Sequence, residues 1–195
     1  LLSLQQATAD YPLAQMQPTL AQTQLIALLV QSTQANRVLE LGIFSSYSTL
    51  AMALALPPDG QLISCGVAGQ HLDVAHDYWE RGGVTTKIDF HIGSGLELLD
   101  RLLTSTPVES FDLIMISGLK YQYPSYYQRV IELLRLQGLL ITTDVLWQGR
   151  VLNPDTYNDE FTQGIDLFNR ELVADPRFAV SALPIGDGLS IAIKL

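Results

Sequence analysis

Short apolar runs alternate with segments of helical periodicity along most of this chain, and that alternation restricts its fold more than any other feature. The predicted helices cover residues 19–34, 48–56, 97–103, 126–136 and 161–175, with a further helix through Tyr78 and Trp79. Strands that alternate with helices are typical of α/β proteins with a mainly parallel sheet. A hairpin is predicted at the end, from Phe178–Leu183 to Leu189–Leu195. The other strand-like runs are Arg37–Leu41, Gln61–Cys65, Lys87–His91, Phe111–Ile116 and Leu139–Thr143.

Composition narrows the class of protein further. Acidic residues number 20 against 11 basic ones, a net charge of −9, and 48% of the residues are hydrophobic. A chain this rich in apolar residues is not an extended disordered one. Its excess of acidic over basic residues argues against a nucleic-acid partner. No apolar run reaches the roughly 20 residues that a membrane span needs. We expect one cytoplasmic domain over residues 1–195 that binds neither nucleic acid nor a membrane, with a removed targeting segment as an open alternative.

The segment that follows the first strand turns directly into a helix and reads Glu40-Leu41-Gly42-Ile43-Phe44-Ser45-Ser46-Tyr47-Ser48. Such a turn lies at the carboxyl edge of a parallel sheet, where α/β proteins bind ligands. Glycine there lets a ligand approach the backbone, and the first amides of the helix attract an anionic group. A tight turn also needs glycine when no ligand is bound, so the turn alone leaves both interpretations open.

Longer stretches of the chain resemble class I S-adenosylmethionine-dependent O-methyltransferases of the caffeoyl-CoA and catechol type. The likeness begins near ATADYPLAQM, is strongest in RVLELGIFSSYSTLAMALALPPDGQLISC, and continues to the tail motifs VLWQGRV and LPIGDGL. The resemblance implies a three-layer, Rossmann-like α/β fold whose seven-stranded, mostly parallel sheet has its last strand antiparallel. It also implies an S-adenosylmethionine cofactor, a small-molecule acceptor and a homodimer.

The resemblance gives cofactor-binding roles to residues of the turn. The family pattern is acid-x-Gly-x-Phe/Tyr-x-Gly-Tyr-Ser, and Glu40, Gly42, Phe44 and Ser48 match it. Ser46 stands where the family has its second glycine, and a serine is tolerated there if its φ is negative.

A further departure from the family lies at the end of the second strand. The family reads Cys-Asp-x-Asp there, and its first acid accepts both ribose hydroxyls of the cofactor. This chain reads Cys65-Gly66-Val67-Ala68. A charge-assisted hydrogen bond contributes about 1.5–3 kcal/mol, so we expect the cofactor to bind roughly ten- to a hundredfold more weakly than in relatives that keep the acid, or not at all.

The metal-binding positions of the family are changed as well. Family members hold a divalent cation with an Asp after the fourth strand and an Asp-Asn pair after the fifth, and the corresponding residues here are Ser117, Thr143 and Asp144. One carboxylate and two hydroxyls are a poor ligand set for magnesium or calcium, which prefer several anionic oxygens. We therefore expect no tight divalent site.

Lys120 stands where the family has a lysine that helps to remove the acceptor's proton. Without a neighbouring cation to lower its pKa, we expect Lys120 to be an ammonium ion paired with Asp144. The resemblance also places Asp144 and Trp147 at the acceptor pocket. The alternatives are a solvated loop lysine for Lys120 and a packing role for Trp147.

Two functions remain open from the sequence. One is O-methyl transfer from S-adenosylmethionine to a small hydroxylated molecule without a divalent metal. The other is a catalytically silent family member, a pseudoenzyme that acts as a partner, a scaffold or a binder of another small molecule. Together, the loss of the ribose acid, the metal carboxylates and the second glycine favours the silent member more than any one loss would. Methyl transfer is retained as the first interpretation, with the silent member as its alternative. The apolar candidates for a dimer surface are Leu1, Leu2, Leu4 and the hairpin around Pro184-Ile185.

Overall fold

One mixed sheet runs through the computed structural model, which describes residues 1–11, 14, 17–66 and 72–195. Its seven strands are β1 (Arg37–Leu41), β2 (Gln61–Gly66), β3 (Ile88–Ile92), β4 (Phe111–Ile116), β5 (Leu134–Thr143), β6 (Phe178–Leu183) and β7 (Leu189–Lys194). Their order in the sheet is β3-β2-β1-β4-β5-β7-β6. Strands β1 to β5 pair in parallel, and β7 pairs antiparallel with both β5 and β6. The predicted fold class and the closing hairpin are confirmed.

Helices cover both faces of the sheet, and each face has its own apolar core. The helices are α1 (Leu2–Ala7), α2 (Leu20–Ser32), α3 (Tyr47–Ala55), α4 (Leu72–Arg81), α5 (Gly95–Ser105), α6 (Tyr123–Leu133) and α7 (Glu160–Ala174). Helices α5, α6 and α7 pack on the face that presents Leu140, and α2, α3 and α4 pack on the face that presents Ile141. Successive residues of β5 thus enter opposite cores, as the two-residue period of a strand requires. Within the described residues, no helix combines the length and apolarity that crossing a bilayer requires.

Several predicted boundaries differ from the structure, among them the end of α6, the start of β3 and the start of β5, which begins at Leu134 rather than at Leu139. Helix α6 ends at Leu133 rather than at residue 136, because residues 135–138 form an irregularity in β5 before pairing with β4 resumes at Leu139. The buried ammonium of Lys194 caps the end of this helix by donating to the carbonyl oxygens of Ile131 and Leu134. The third strand begins one residue later than predicted, because the Lys87 amide donates to the carbonyl oxygen of Val84 and closes a 3-10 turn over Thr85–Lys87.

The N-terminal leucines divide between the surface and the core. Leu1 and Leu2 are exposed, but Leu4 is fully buried in the core beneath α2, α3 and α4. The prediction that Leu4 contributes to a surface for a second chain is therefore wrong. Burial of its apolar side chain stabilises the fold by packing α1 against that core.

Candidate active site

Glu40, at the end of β1, organises the turn that follows the strand. Its carboxylate is fully buried and accepts hydrogen bonds from the hydroxyls of Ser48 (2.5 Å), Thr49 (2.7 Å) and Ser64. These donors come from the first turn of α3 and from β2, so the carboxylate joins three elements at the carboxyl edge of the sheet. Burial raises the pKa of Glu40, while the three hydroxyl donors oppose that shift. Glu40 and Ser48 thus lie together and bond to each other. Their roles toward the cofactor stay predictions.

A Glu40→Gln variant is expected to change how stability depends on pH. The pKa of Glu40 in the folded protein lies above its ordinary value of 4.5. The folded state then binds this proton more tightly than the unfolded chain, so this contribution to stability is fully present below pH 4.5 and is lost as pH rises through the raised pKa. Glutamine does not titrate. Urea unfolding between about pH 4 and 8 should show the wild type losing stability relative to the variant as pH rises; a pH-independent difference between the two would contradict the assignment.

Gly42 is required by the neighbouring backbone. Its φ is +95°, and a Cβ at this position would lie 2.2 Å from the Cα and the nitrogen of Gly118. Gly118 follows β4, and the Ser117 amide donates to the carbonyl oxygen of Leu41 at 2.7 Å. The turns after β1 and β4 thus touch through two glycines. Packing alone explains the glycine at position 42, whatever binds there.

Ser46 does not meet the condition of a negative φ. Its φ is +60° and ψ is +19°, the left-handed conformation, and its side chain is buried in front of α3. A residue with a Cβ adopts this conformation at a cost of about 1–2 kcal/mol. The turn therefore keeps a backbone conformation that suits glycine, with a serine in place of the expected glycine.

The remaining groups of this edge include a hydroxyl that sequence reasoning missed. The Ser45 hydroxyl is buried and has no hydrogen-bond partner among the described residues, and Phe44 is half-buried in the same turn. At the end of β2, Gly66 presents no carboxylate, and a Cβ added there would lie 3.2 Å from the Cβ of Ile43. The other two positions of the expected acidic motif, Val67 and Ala68, lie outside the described residues.

Lys120 lies at the centre of a second cluster, formed by the segments after β4 and β5. Its side chain is 7% exposed, and its Nζ donates to Oδ2 of Asp144 at 2.6 Å and to the Tyr123 hydroxyl at 2.8 Å. Burial acts to lower the pKa of Lys120, but the contacts with Tyr123 and Asp144 outweigh burial and raise it above its ordinary value. Lys120 is therefore an ammonium ion at neutral pH, and the predicted pairing with Asp144 is confirmed.

Tyr123 is part of this cluster as well as of the core. The sequence suggests only a packing role for it, and the ring does pack edge-on against Phe168. Its hydroxyl, however, also donates to the carbonyl oxygen of Thr143 at 3.3 Å while accepting from Lys120. Burial raises the pKa of Tyr123, so its phenol is neutral at neutral pH.

The residues at the family's metal positions do not suit a divalent cation. The hydroxyl of Thr143 donates to the hydroxyl of Ser117 at 3.1 Å, and the Asp144 carboxylate is engaged by the Lys120 ammonium. A cation that bound Asp144 would lie beside that ammonium, with one carboxylate as its single anionic ligand. Across the parts of the chain that the structure describes, no three His, Cys, Asp or Glu side chains gather into a group that could hold a metal ion.

The segment after β5 holds three non-glycine residues in the left-handed region: Asp144 (φ +57°), Trp147 (φ +45°) and Gln148 (φ +55°). Such conformations persist only where surrounding contacts enforce them, and they concentrate at functional sites. Asp187 bonds to this segment on either side of Trp147. Its carboxylate accepts from the Gln148 amide at 2.7 Å, and its carbonyl oxygen accepts from the Leu146 amide at 3.0 Å. The Gly-Asp-Gly triplet suggests only a turn, so sequence reasoning missed this role of Asp187.

Trp147 forms an aromatic wall beside Lys120. Its ring stacks on Phe161 at 6.0 Å between centroids, and Phe161 packs edge-on against Tyr121. The Lys120 nitrogen lies 5.9 Å from the centre of the Trp147 ring. The indole N–H is buried and has no hydrogen-bond partner among the residues described. Lys120, Asp144 and Trp147 are therefore brought together, as the resemblance implies, and their roles toward an acceptor stay predictions.

Comparison with known proteins decides the family. The profile described as O-methyltransferase matches residues 1–195, the whole of this chain. The chain belongs to the O-methyltransferase family. The mouse (Mus musculus) catechol O-methyltransferase domain-containing protein 1 is 35% identical to this O-methyltransferase over 195 residues, 100% of this chain and 74% of the relative. Caffeoyl-CoA O-methyltransferase 1 of Eucalyptus globulus is 32% identical over 197 residues, 98% of this chain and 80% of the relative.

Solved structures agree with this assignment. The O-methyltransferase TomG from Streptomyces achromogenes, in complex with S-adenosylmethionine, superposes on this O-methyltransferase with a TM-score of 0.90 at 26% identity, covering 99% of this chain and 88% of TomG. An O-methyltransferase from Bacillus cereus in complex with S-adenosylhomocysteine gives a TM-score of 0.87 at 28% identity, covering 100% and 88% of the two chains. The resemblance that the motifs indicate is confirmed in sequence and in fold.

Proposed function

We propose that this O-methyltransferase transfers a methyl group from S-adenosylmethionine to a hydroxyl of a small molecule, without a divalent cation. One observation carries the proposal: the buried Lys120 ammonium lies 2.6 Å from Asp144, beside the Ser117 and Thr143 hydroxyls that replace the metal carboxylates. A fixed positive charge at that place can stabilise an acceptor oxygen that develops or carries negative charge. In this proposal the Lys120 side chain supplies the positive charge that transfer to oxygen needs.

The residues after β1 fit the methionine part of the cofactor. S-adenosylmethionine, when bound, supplies a methyl group attached to a positively charged sulfur. The turn from Gly42 to Ser48 retains a glycine-like backbone conformation at Ser46, and Ser45 offers a buried hydroxyl without a partner among the described residues. A buried hydroxyl left unpaired costs about 1–3 kcal/mol, which a ligand that bonds to it recovers. We assign Ser45 to the cofactor site, together with Gly42, Phe44 and Ser48, and Glu40 as the group that positions Ser48.

Titration calorimetry with S-adenosylmethionine, followed by transfer assays on a panel of small hydroxylated molecules, tests the proposal. We expect binding and transfer of the methyl group. Binding without transfer to any acceptor, or no binding at all, would instead support a catalytically silent member that serves as a partner, a scaffold or a binder of another small molecule. The observation that favours this second function is the absence of a carboxylate at Gly66, where the family binds ribose.

A Gly66→Asp variant is expected to bind S-adenosylmethionine roughly ten- to a hundredfold more tightly, because it restores a charged acceptor for the ribose hydroxyls. The new Cβ lies 3.2 Å from that of Ile43, so the backbone at Ile43 must shift by a few tenths of an ångström. Gly66→Asn is the matched control, since it makes the same steric demand without the charge. Equal dissociation constants for the wild type and Gly66→Asp would show that the missing acid does not limit affinity.

The proposal extends to a cytoplasmic homodimer that takes a small-molecule acceptor and binds neither nucleic acid nor a membrane. The net charge of −9 supports the exclusion of nucleic acid. For the dimer, exposed Leu1 and Leu2 and the exposed Pro184 of the β6–β7 hairpin offer apolar area. Light scattering at micromolar concentration is expected to give twice the mass of the chain. The mass of a single chain, measured with residues 1–11 present, would contradict the dimer.

A further inference from the structure

The turn between β6 and β7 fits closely between α2 and the segment that follows β5. A Cβ on Gly186, whose φ is +61°, would lie 2.5 Å from Oε1 of Gln22 near the start of α2. A Cβ on Gly188, whose φ is +90°, would lie 2.7 Å from Cγ of Leu146. The two glycines leave room for this close packing. Asp187 lies between them, so contacts on either side fix its place.

Asp187 bonds to the backbone on both sides of Trp147. Its carbonyl oxygen accepts from the Leu146 amide at 3.0 Å, and its carboxylate accepts from the Gln148 amide at 2.7 Å. Trp147 and Gln148 are both left-handed, a conformation that residues with a Cβ keep only where other contacts favour it. The two hydrogen bonds to Asp187 come from outside the segment and oppose its relaxation.

The other half of the aromatic wall is held separately. Phe161 lies in the first turn of α7, where the Asp159 carboxylate accepts from the Phe161 and Thr162 amides at 3.1 and 3.0 Å. The ring of Trp147 stacks on Phe161 with 19° between the ring planes. One ring is thus carried by a capped helix and the other by an irregular segment. The stack requires that segment to be held in register with the helix.

We propose that Asp187 is a positioning residue, which fixes the Trp147 ring beside Lys120 and thereby sets how tightly the acceptor binds. The inference rests on the proposed function and concerns the same site. Asp187 acts through the backbone and is given no contact with the acceptor or the cofactor. A ring that is in place before binding does not have to be ordered by the acceptor, which favours affinity. The hydrogen bond, and not the charge of Asp187, is what this role needs.

An Asp187→Ala variant removes the carboxylate that binds the Gln148 amide. We expect KM for the acceptor to rise about tenfold, with a smaller change in kcat and an unchanged dissociation constant for S-adenosylmethionine. Asp187→Asn should restore the acceptor KM, because its amide oxygen can accept from the same N–H. If Asp187→Ala does not fold, Asp187→Ser is measured instead with the same expectation, since its side chain is shorter.

Asp112→Ala is the matched control for losing a carboxylate that binds backbone amides. Asp112 accepts from the amides of Asn36 and Arg37 at 2.8 and 2.7 Å, at the opposite edge of the sheet. Its loss should reduce the free energy of unfolding and leave the acceptor KM of the folded molecules unchanged. A role of Asp187 in stability alone would give the same result as this control.

Fluorescence reports the position of Trp147 without any transfer reaction. Acrylamide should quench Asp187→Ala more strongly than the wild type, because the Trp147 ring leaves its stack on Phe161. The chain has two tryptophans, and the other, Trp79, is 1% exposed and lies in the core beneath α2, α3 and α4. Repeating the comparison in a Trp147→Phe background should therefore show no difference.

The outcomes separate the inference from the function on which it rests. An unchanged acceptor KM in folded Asp187→Ala, or quenching equal to that of the wild type, would overturn the inference and leave the methyltransferase proposal standing. An Asp187→Asn variant that loses as much acceptor affinity as Asp187→Ala would overturn it as well, since charge would then be the feature that matters. Absence of transfer by the wild type to every acceptor would overturn the proposed function, and quenching alone would then decide whether Asp187 positions Trp147.

Discussion

Replacing Gly42 with alanine is expected to lower the free energy of unfolding by about 3 kcal/mol or more. The added Cβ would lie 2.2 Å from backbone atoms of Gly118 and 2.5 Å from the carbonyl carbon of Ser117, and none of these can rotate away. Relief requires the segments after β1 and β4 to separate, which breaks the 2.7 Å hydrogen bond from the Ser117 amide to Leu41. Because Lys120 follows that segment directly, methyl transfer should be lost together with stability.

Gly83→Ala is the matched control for this change. Gly83 also has a positive φ, +66°, but a Cβ added there would meet nothing within 4 Å. Its cost should therefore be that of the left-handed backbone alone, about 1–2 kcal/mol. Urea unfolding of both variants measures the difference. Equal losses of stability for Gly42→Ala and Gly83→Ala would show that the contact between the two turns does not require glycine.

A Lys120→Met variant is expected to lose roughly 10²–10³-fold in kcat while it still binds S-adenosylmethionine. Methionine retains an unbranched side chain but removes the charge and the N–H bonds that we assign to the acceptor oxygen. Folding should survive, because Asp144 is 26% exposed and can be hydrated once its partner is gone. Transfer rates for folded protein, together with calorimetry, measure the two effects separately.

Lys194→Met serves as the control for removing a buried lysine. The Lys194 ammonium binds Glu109 and two carbonyl oxygens at the end of α6. Its loss should reduce stability with no change in kcat for the molecules that remain folded. If Lys120→Met keeps more than about a tenth of wild-type kcat, the positive charge is not the group that stabilises the acceptor.

Periodicity and family motifs predict the sheet well because they reflect local and repeated constraints. A strand such as Phe111–Ile116 is buried on both faces, which leaves a continuous apolar run in the sequence. Strand boundaries fail where a short turn takes residues whose side chains suit a strand, as at the start of β3, where Thr85–Lys87 form a 3-10 turn. The apolar pattern of the strand gives no indication of that turn.

The candidate site is predictable only in part, for the same reason. Motif positions identify Lys120, Asp144 and Trp147, and the opposite charges of the first two suggest their pairing. The roles of Asp187 and Tyr123 depend on contacts with other segments of the chain. The Gly-Asp-Gly turn motif around Asp187 and the start of α6 at Tyr123 therefore do not reveal them. The positive φ of Ser46 follows from the backbone geometry of the turn. It could not be predicted from serine itself, which prefers a negative φ.

The central claim is that the Lys120–Asp144 pair, and no divalent cation, provides the electrostatics of methyl transfer. Initial rates with S-adenosylmethionine and the best acceptor, measured in excess EDTA and again with millimolar Mg²⁺, test it most directly. The account predicts transfer in EDTA at a rate that added Mg²⁺ leaves unchanged. Transfer that EDTA abolishes and Mg²⁺ restores would contradict it.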